Sequence, residues 1–572
     1  MKFIFKKIFI IPLFFSLILT NSVSYSQNFN SKYKKADISN YFLGITLAKQ
    51  SYNERAFKYL NKSQKIKDKH TNFNIEFIRT LVLLDKFNEA VNFSKKIWTE
   101  EEHFFDVDLL LGLNSLINKD YEEAEKYFER LNNVSRYNLI FQDFIGNVLI
   151  AWSKASQGKK EETFQFLKKI PDPYNRLKNI QKIFLQCYFD EDKTKQSFNE
   201  LIKNKEYNFS RYNYFLANYL VHQNKFTEAK KIIQTSAEKN RSNLLIRQTE
   251  FFFEKEKNGK IKKFFNCKNT KDSLGEFFYI LANLYSSEED YRMSNFYIKI
   301  SLFLNSKFLS NKTLLAENLY YQKRNDKAKD VYYSIKSIGP IFSWFASKNI
   351  ASILLDEHGK ESAVSFLEKH YNKISNPNFD HNYELANFYK DNDYYEKSIK
   401  YYTLALNQIK KNHPLFPKVL HMRGTSFERI KKWENAEKDL LQSLEISPDQ
   451  AHVLNYLAYS WIDRGTHLEK GLKMLKKANE LRSNDGYIID SLGWVYYKKK
   501  NYIKAEFFLQ QAVELMPSDP VINDHYADTL WMLNKNIQAR YFWNYVLKLK
   551  KTEKKIKKTL KKKLIFGLTK KI

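Results

Sequence analysis

Small residues recur along this chain at a fixed interval, set among larger apolar ones. Ala56, Ala90 and Ala124 stand 34 residues apart; Ser294 and Ala328 repeat the interval, and so do Gly471, Ala505 and Ala539. Between these runs the step drifts by a few residues through Thr163, Ser197, Ala229, Ala363, Ser398 and Ala436. Twelve positions before most of them lies a second small residue: Gly44, Gly112, Ala217, Ala282, Ala316, Ala351, Ala386, Gly424 and Gly493. Leu492 and Tyr496 flank Gly493, and Leu509 and Ala512 follow Ala505 at same-face helical spacing. Such a period with two small sites predicts helix–turn–helix units in which the small residues mark the closest crossing of each helix pair. One hairpin cannot bury both of its faces, so the units must stack and share a continuous core.

Turn chemistry agrees with the period. Pro448 and Pro517 end second helices, and Asp519-Pro520 reads as an N-cap followed by Pro at the first helical position. About 13 units are recognisable from Asp37 to Glu553, with degenerate helix pairs near 178–209 and 244–274. The expected organisation is an N-terminal array over 37–243, a degenerate connector over 244–274, a second array over 275–553 and a basic tail over 554–572.

Composition narrows this further. Only 14 Gly and 10 Pro occur in 572 residues, too few for several unlike domains with their linkers. The net charge of +31 invites a nucleic-acid reading. Lys, Asn, Ile, Phe and Tyr are abundant together while Ala, Gly and Pro are scarce, the pattern an A/T-rich genome imposes. Lys is interspersed with Glu and Asp outside the tail, whereas a polyanion site needs one basic face. No nucleic-acid partner is therefore expected.

The first residues read as an export signal. Lys2, Lys6 and Lys7 precede an apolar run from Ile8 to Leu19, and Ser24-Tyr25-Ser26 suits cleavage after Ser26. The run is short of the ~20 residues that span a bilayer as a helix. No Cys stands near the cleavage point, so lipidation there is not expected, and the mature chain is placed in the periplasm or cell envelope. Two cysteines occur, Cys187 and Cys267, with a whole repeat between them. Packed helices lie ~8–10 Å apart and a disulfide needs Cα atoms within about 7 Å, so two unpaired thiols are expected.

The unit from Gly486 to Asp519, with Leu492, Gly493, Tyr496, Ala505, Leu509, Ala512 and Pro517, resembles the tetratricopeptide repeat (TPR). The resemblance covers about nine-tenths of the chain and implies an all-α, right-handed superhelical α-solenoid that binds proteins. A narrower likeness rests on three blocks: 454–465 (LNYLAYSWIDRG), 484–494 (NDGYIIDSLGW) and 519–525 (DPVINDH) with Ala539-Arg540 and Trp543. These are similar to exported TPR proteins of alphaproteobacteria. They are also similar to outer-membrane TPR lipoproteins that serve as adaptors for a periplasmic carboxyl-terminal processing protease.

In a TPR stack the first helix of each unit lines a concave groove. The resemblance places His452, Asn455, Tyr459 and Asp463 there from one unit. Tyr487, Asp490, Trp494 and Tyr497 come from the next, and Asp524, Asp528 and Trp531 from the last. Aromatics beside amides and carboxylates suit an extended peptide, although Trp494 and Tyr459 could equally pack on the adjacent helix. TPR clamps for a terminal carboxylate use Lys, Arg and Asn, and that pattern is not matched.

The tail from Lys548 to Ile572 holds twelve Lys and one acid, Glu553, with Leu549, Ile556, Leu560 and Leu564 at near-helical spacing. It reads as a helix capping the last unit; the alternative is a basic surface for anionic lipid, a peripheral membrane contact, or an acidic partner. No H-E-x-x-H, G-x-x-x-x-G-K-[ST], G-x-S-x-G or C-x-x-C is present. The expectation is a non-catalytic scaffold or adaptor without metal or cofactor. The alternatives are a protease adaptor and a membrane-surface or polyanion binder.

Overall fold

The computed structural model describes residues 34–568 except 70, 103, 136–142 and 205. The export segment read at 1–26 lies outside the described residues. Regular structure among the described residues is helical throughout: fifteen antiparallel helix pairs, short 3₁₀ turns, and a final helix, Lys554–Phe566. The recognisable units and the two degenerate pairs together make up the fifteen. The degenerate ones are Asn175–Tyr188 with Thr194–Lys203, and Leu244–Glu254 with Asn258–Phe264. No helix among the described residues is long and apolar enough to cross a membrane.

The small residues stand where the helices cross. Ala56, Ala90, Ala124, Ala505 and Ala539 are fully buried. A Cβ placed on Gly493 would lie 2.6 Å from Leu509 Cγ, and one on Gly44 2.7 Å from Leu60 Cγ, so a larger residue would push the helix axes apart. Asp519 caps the helix Pro520–Met532 by accepting from the N–H groups of Val521 and Ile522, and Asp485 caps Gly486–Lys498 in the same way.

The chain divides into two compact units, 1–331 and 332–572. In the first, the stack curls and its own later helices fill the inner face. The helix Thr270–Ser287 packs against Ile145–Ser156 and Asn175–Tyr188. Thr270 is hydrogen-bonded to Ser156 at 2.7 Å, and Phe277 meets Phe144 with ring centroids 5.8 Å apart. Glu276, fully buried, accepts two hydrogen bonds from Arg211 at 2.7 and 2.8 Å. The next helix, Tyr291–Leu304, returns to Thr71–Leu83 and its partner: Arg292 pairs with Glu76, Lys299 with Asp85 at 2.5 Å, and Phe303 stacks on Phe87 at 4.2 Å.

This curl corrects the expectation of unpaired thiols. Cys187 and Cys267 form a disulfide, with Cα atoms 5.9 Å apart across 80 residues of sequence. Counting one repeat as one step along a straight stack separates them. In the curled unit, however, the segment before Thr270 crosses the inner face beside the helix Asn175–Tyr188. Phe265 there contacts Phe184 and Phe215, and Lys268 pairs with Asp190 at 2.9 Å. Both cysteines are buried.

The second unit is a regular stack. Its last core layer joins Ala458, Leu475, Leu492, Val495, Ala505, Leu509, Leu530 and Trp543 to Leu560 of the final helix. That helix packs against Asn536–Lys548 and caps the stack, turning Leu560 inward with Ile556 and Leu564 beside it.

Candidate functional site

Three successive first helices of the second unit, Ala451–Asp463, Gly486–Lys498 and Pro520–Met532, lie side by side. Because each repeat turns the same positions to the same side, residues one unit apart in sequence become neighbours. Asp490 meets His525 in this way, with Oδ1 and Oδ2 at 3.0 and 3.1 Å from the ring Nδ1. Burial disfavours an imidazolium here. The Asp490 charge and hydrogen bond, with Asp524 and Asp528 behind them, outweigh burial and raise the His525 pKa above its ordinary value.

The imidazole lies 3.9 Å from the Trp494 ring at 13°, and Tyr497 stacks near the same indole at 4.5 Å and 5°. Stacking a cationic ring on indole adds a cation–π attraction. Tyr459 lies 6.4 Å from His525 with its ring tilted at 36°. Burial raises the phenol pKa of both tyrosines, reinforced by Asp490 and Asp463 at Tyr459 and by Asp528 and Asp524 at Tyr497. Two polar atoms in this row are buried and unpartnered: Trp494 Nε1 and Asn455 Oδ1.

Beyond the stack, Asp524 and Asp528 hold Lys563 of the final helix. Its Nζ stands 2.7 Å from Asp524 Oδ1 and 2.7 and 2.8 Å from the Asp528 oxygens. Asp528 also accepts from Trp543 Nε1 at 2.9 Å. Burial and the neighbouring Asp524 charge push the Asp528 pKa up, against Lys563 and Trp543, which lower it. Trp531 is covered by the same helix end: Arg540 sits 4.9 Å over its ring and donates to the Leu564 carbonyl, and Gly567 lies against the indole.

Of the residues placed in the groove by sequence, Tyr459, Asp490, Trp494 and Tyr497 share one cluster, and Asp524, Asp528 and Trp531 share the adjoining one. Asn455 contributes its unpartnered oxygen. His452 and Tyr487 stand apart, and Asp463 bears on Tyr459 through its charge alone. His452 and Tyr487 open their helices and approach Asp485 and Asp519, and Asp463 closes its helix in solvent. His525 and Lys563 were not legible as site residues. The first sits one position past the groove register and reaches in by the length of its ring. The second belongs to a helix whose docking depends on the whole stack. A further histidine, His421, is half-buried, and desolvation with the charges of His452, Lys390 and Lys418 holds its pKa down at about 4.

The 34-residue helical hairpin with small crossing residues meets an independent observation here: a sequence model of the tetratricopeptide-repeat family matches residues 489–519. Residues 489–519 match a tetratricopeptide repeat, and the neighbouring hairpins repeat the same two-helix unit. A TPR repeat-containing protein of Pseudomonas aeruginosa is 31% identical over 131 residues, 23% of this chain and 22% of that protein. The chain thus matches about a fifth of that relative's length. Among solved structures, a tetratricopeptide repeat protein from Parabacteroides merdae is similar with a TM-score of 0.33 and 18% identity, over 39% of this chain and 85% of that one. A thermophilic TPR protein of Thermus thermophilus has a TM-score of 0.29 and 18% identity, over 32% and 98%. YrrB, described as a TPR protein with an unusual peptide-binding site, has a TM-score of 0.25 and 19% identity, over 31% and 88%.

Proposed function

We propose that this TPR protein is a non-catalytic scaffold of the cell envelope that holds an extended segment of another protein in the groove of its second unit. TPR proteins generally mediate protein–protein interactions, and the observation that carries the reading for this groove is its pair of unpartnered polar atoms. Trp494 Nε1 offers a donor buried in the aromatic row, and Asn455 Oδ1 a buried acceptor one helical turn before Tyr459. An unmade hydrogen bond at a buried group is costly, and an extended backbone presents the complementary carbonyl and N–H at every residue. The His525–Asp490 pair fixes the Trp494 ring, so the surface is preorganised and loses little freedom on binding.

Export is supported by the signal-like first residues and by the Cys187–Cys267 disulfide, a bond that persists in oxidising compartments. The test is a photo-crosslinking residue at Tyr459 in cells, with capture compared between the native groove and Trp494→Ala with Asn455→Ala. A reproducible set of partners lost by at least ten-fold in the double variant is expected. Equal capture by both would remove the groove reading.

A further inference from the structure

Lys563 does not reach the groove by accident of crowding. Its ammonium sits between two carboxylates from successive turns of one helix, within hydrogen-bond distance of three oxygens, and its side chain is 12% exposed. Asp528 is 7% exposed and is itself oriented by the Trp543 indole N–H. The geometry is that of an occupied ammonium site, and the occupant is the chain's own tail. We infer that Asp524 and Asp528 form a lysine-recognition subsite at the acidic end of the groove. On this inference the final helix fills the subsite in cis, and a protein partner fills it in trans by displacing that helix with a lysine flanked by apolar residues, from which its extended segment runs on along the groove. The inference rests on the groove reading above and adds the chemistry of what enters it.

Three observations favour this over a permanent cap. The helix Lys554–Phe566 holds seven lysines and no acid, so like charges three and four positions apart repel along its length. Its burial is shallow: Leu560 is its one fully enclosed side chain among the described residues, while Ile565 and Phe566 are 68% and 69% exposed. The subsite also adjoins the Trp494 row, since Asp524 directly precedes His525, whose ring stacks on Trp494 at 3.9 Å. A segment seated on Lys563's carboxylates and running toward Trp494 would satisfy both, which the tail does not.

The recognition pattern can be read from the tail: Leu560 one turn before the lysine and Leu564 immediately after it. Residues 549–553 join the tail to the stack, so its effective concentration is high. A trans partner must therefore add contacts that the tail lacks, at Asn455, Trp494 and Tyr459. Charge complementarity fixes the partner as basic at this point.

The probe is a synthetic peptide of residues 554–568, and a second peptide carrying Gln in place of the lysine. Binding to the full chain is measured by fluorescence anisotropy for the native protein, Lys563→Gln, and Lys563→Gln with Asp524→Asn. The first peptide is expected to bind Lys563→Gln at least ten-fold tighter than the native chain. The glutamine peptide should bind at least ten-fold more weakly, and Asp524→Asn should remove most of the gain. Asp524 is used because Asp528 also holds Trp543, and circular dichroism confirms that each variant folds.

Equal binding to native and Lys563→Gln chains, or indifference to the peptide's lysine, would reduce the tail to a cap and overturn the inference. So would tighter binding of Lys563→Gln to vesicles of anionic phospholipid without tighter peptide binding. A dimer that requires Lys563 would make the occupant a second copy of this chain and overturn the partner form. The groove reading fails separately, by Trp494-independent capture in cells, which involves no change at Lys563.

Discussion

His525 holds its proton more tightly in the fold than a free histidine does, and its position makes that preference measurable. Its folded pKa is raised by Asp490, Asp524 and Asp528 despite burial, while in the unfolded chain it returns to about 6.5. A group whose folded pKa lies above its unfolded one binds its proton more tightly when folded. Its contribution is complete below the unfolded pKa and is lost as pH rises through the folded pKa. The second unit is therefore expected to lose stability as pH climbs above about 6.5, and Asp490→Asn should flatten that decline. Thermal unfolding of both chains across pH 6–9 gives the comparison. An NMR titration of His525 with a midpoint at or below the ordinary histidine value would contradict it.

At the scale of the element, the scarcity of glycine has a structural consequence. Helix pairs are joined by very tight turns, and several place a non-glycine residue in the left-handed region, including Lys431 at φ 64° and Lys500 at φ 60°. A side chain there costs about 1 kcal/mol, which glycine avoids at the expense of greater freedom in the unfolded chain. Lys431→Gly and Lys500→Gly are each expected to raise stability by roughly 0.5 kcal/mol, the balance of these opposing effects. Chemical denaturation measures it, and a loss of stability in both variants would show that the lysine side chains support the turns. The positions of these turns follow from the period. Their left-handed conformation was not legible, because lysine carries no local signal for it.

The two units differ at the largest scale. In unit 1 the inner face is taken up by its own helices, which are fastened by the Cys187–Cys267 bond and the buried Arg211–Glu276 pair. The bond closes 80 residues, for which chain entropy predicts a stabilisation of roughly 4.5 kcal/mol. Cys187→Ser with Cys267→Ser is expected to speed hydrogen exchange in Asn258–Phe264 and Thr270–Ser287. Exchange in Pro520–Met532 should stay unchanged. No difference in the first two helices would mean that packing alone holds them. In unit 2 the final helix covers, among the described residues, the acidic end of the row at Asp524 and Asp528, and the proposed groove lies beside it.

Local and periodic information was enough for the elements. The 34-residue return of small residues, the apolar spacing around Gly493 and Ala505, and the cap at Asp519 follow from neighbours within one hairpin. They therefore survive any arrangement of the stack. The groove register, which the family resemblance supplied, brings Tyr459, Asp490, Trp494 and Tyr497 to one face, because each unit repeats the same rotation. What remained was decided by contacts between residues far apart in sequence. Lys563 lies 35 residues beyond Asp528, and Cys267 lies 80 beyond Cys187. Both pairings depend on how sharply the stack curls and where its last helix folds back. Curvature of this kind is a sum of small rotations over many repeats, and no single window of sequence contains it.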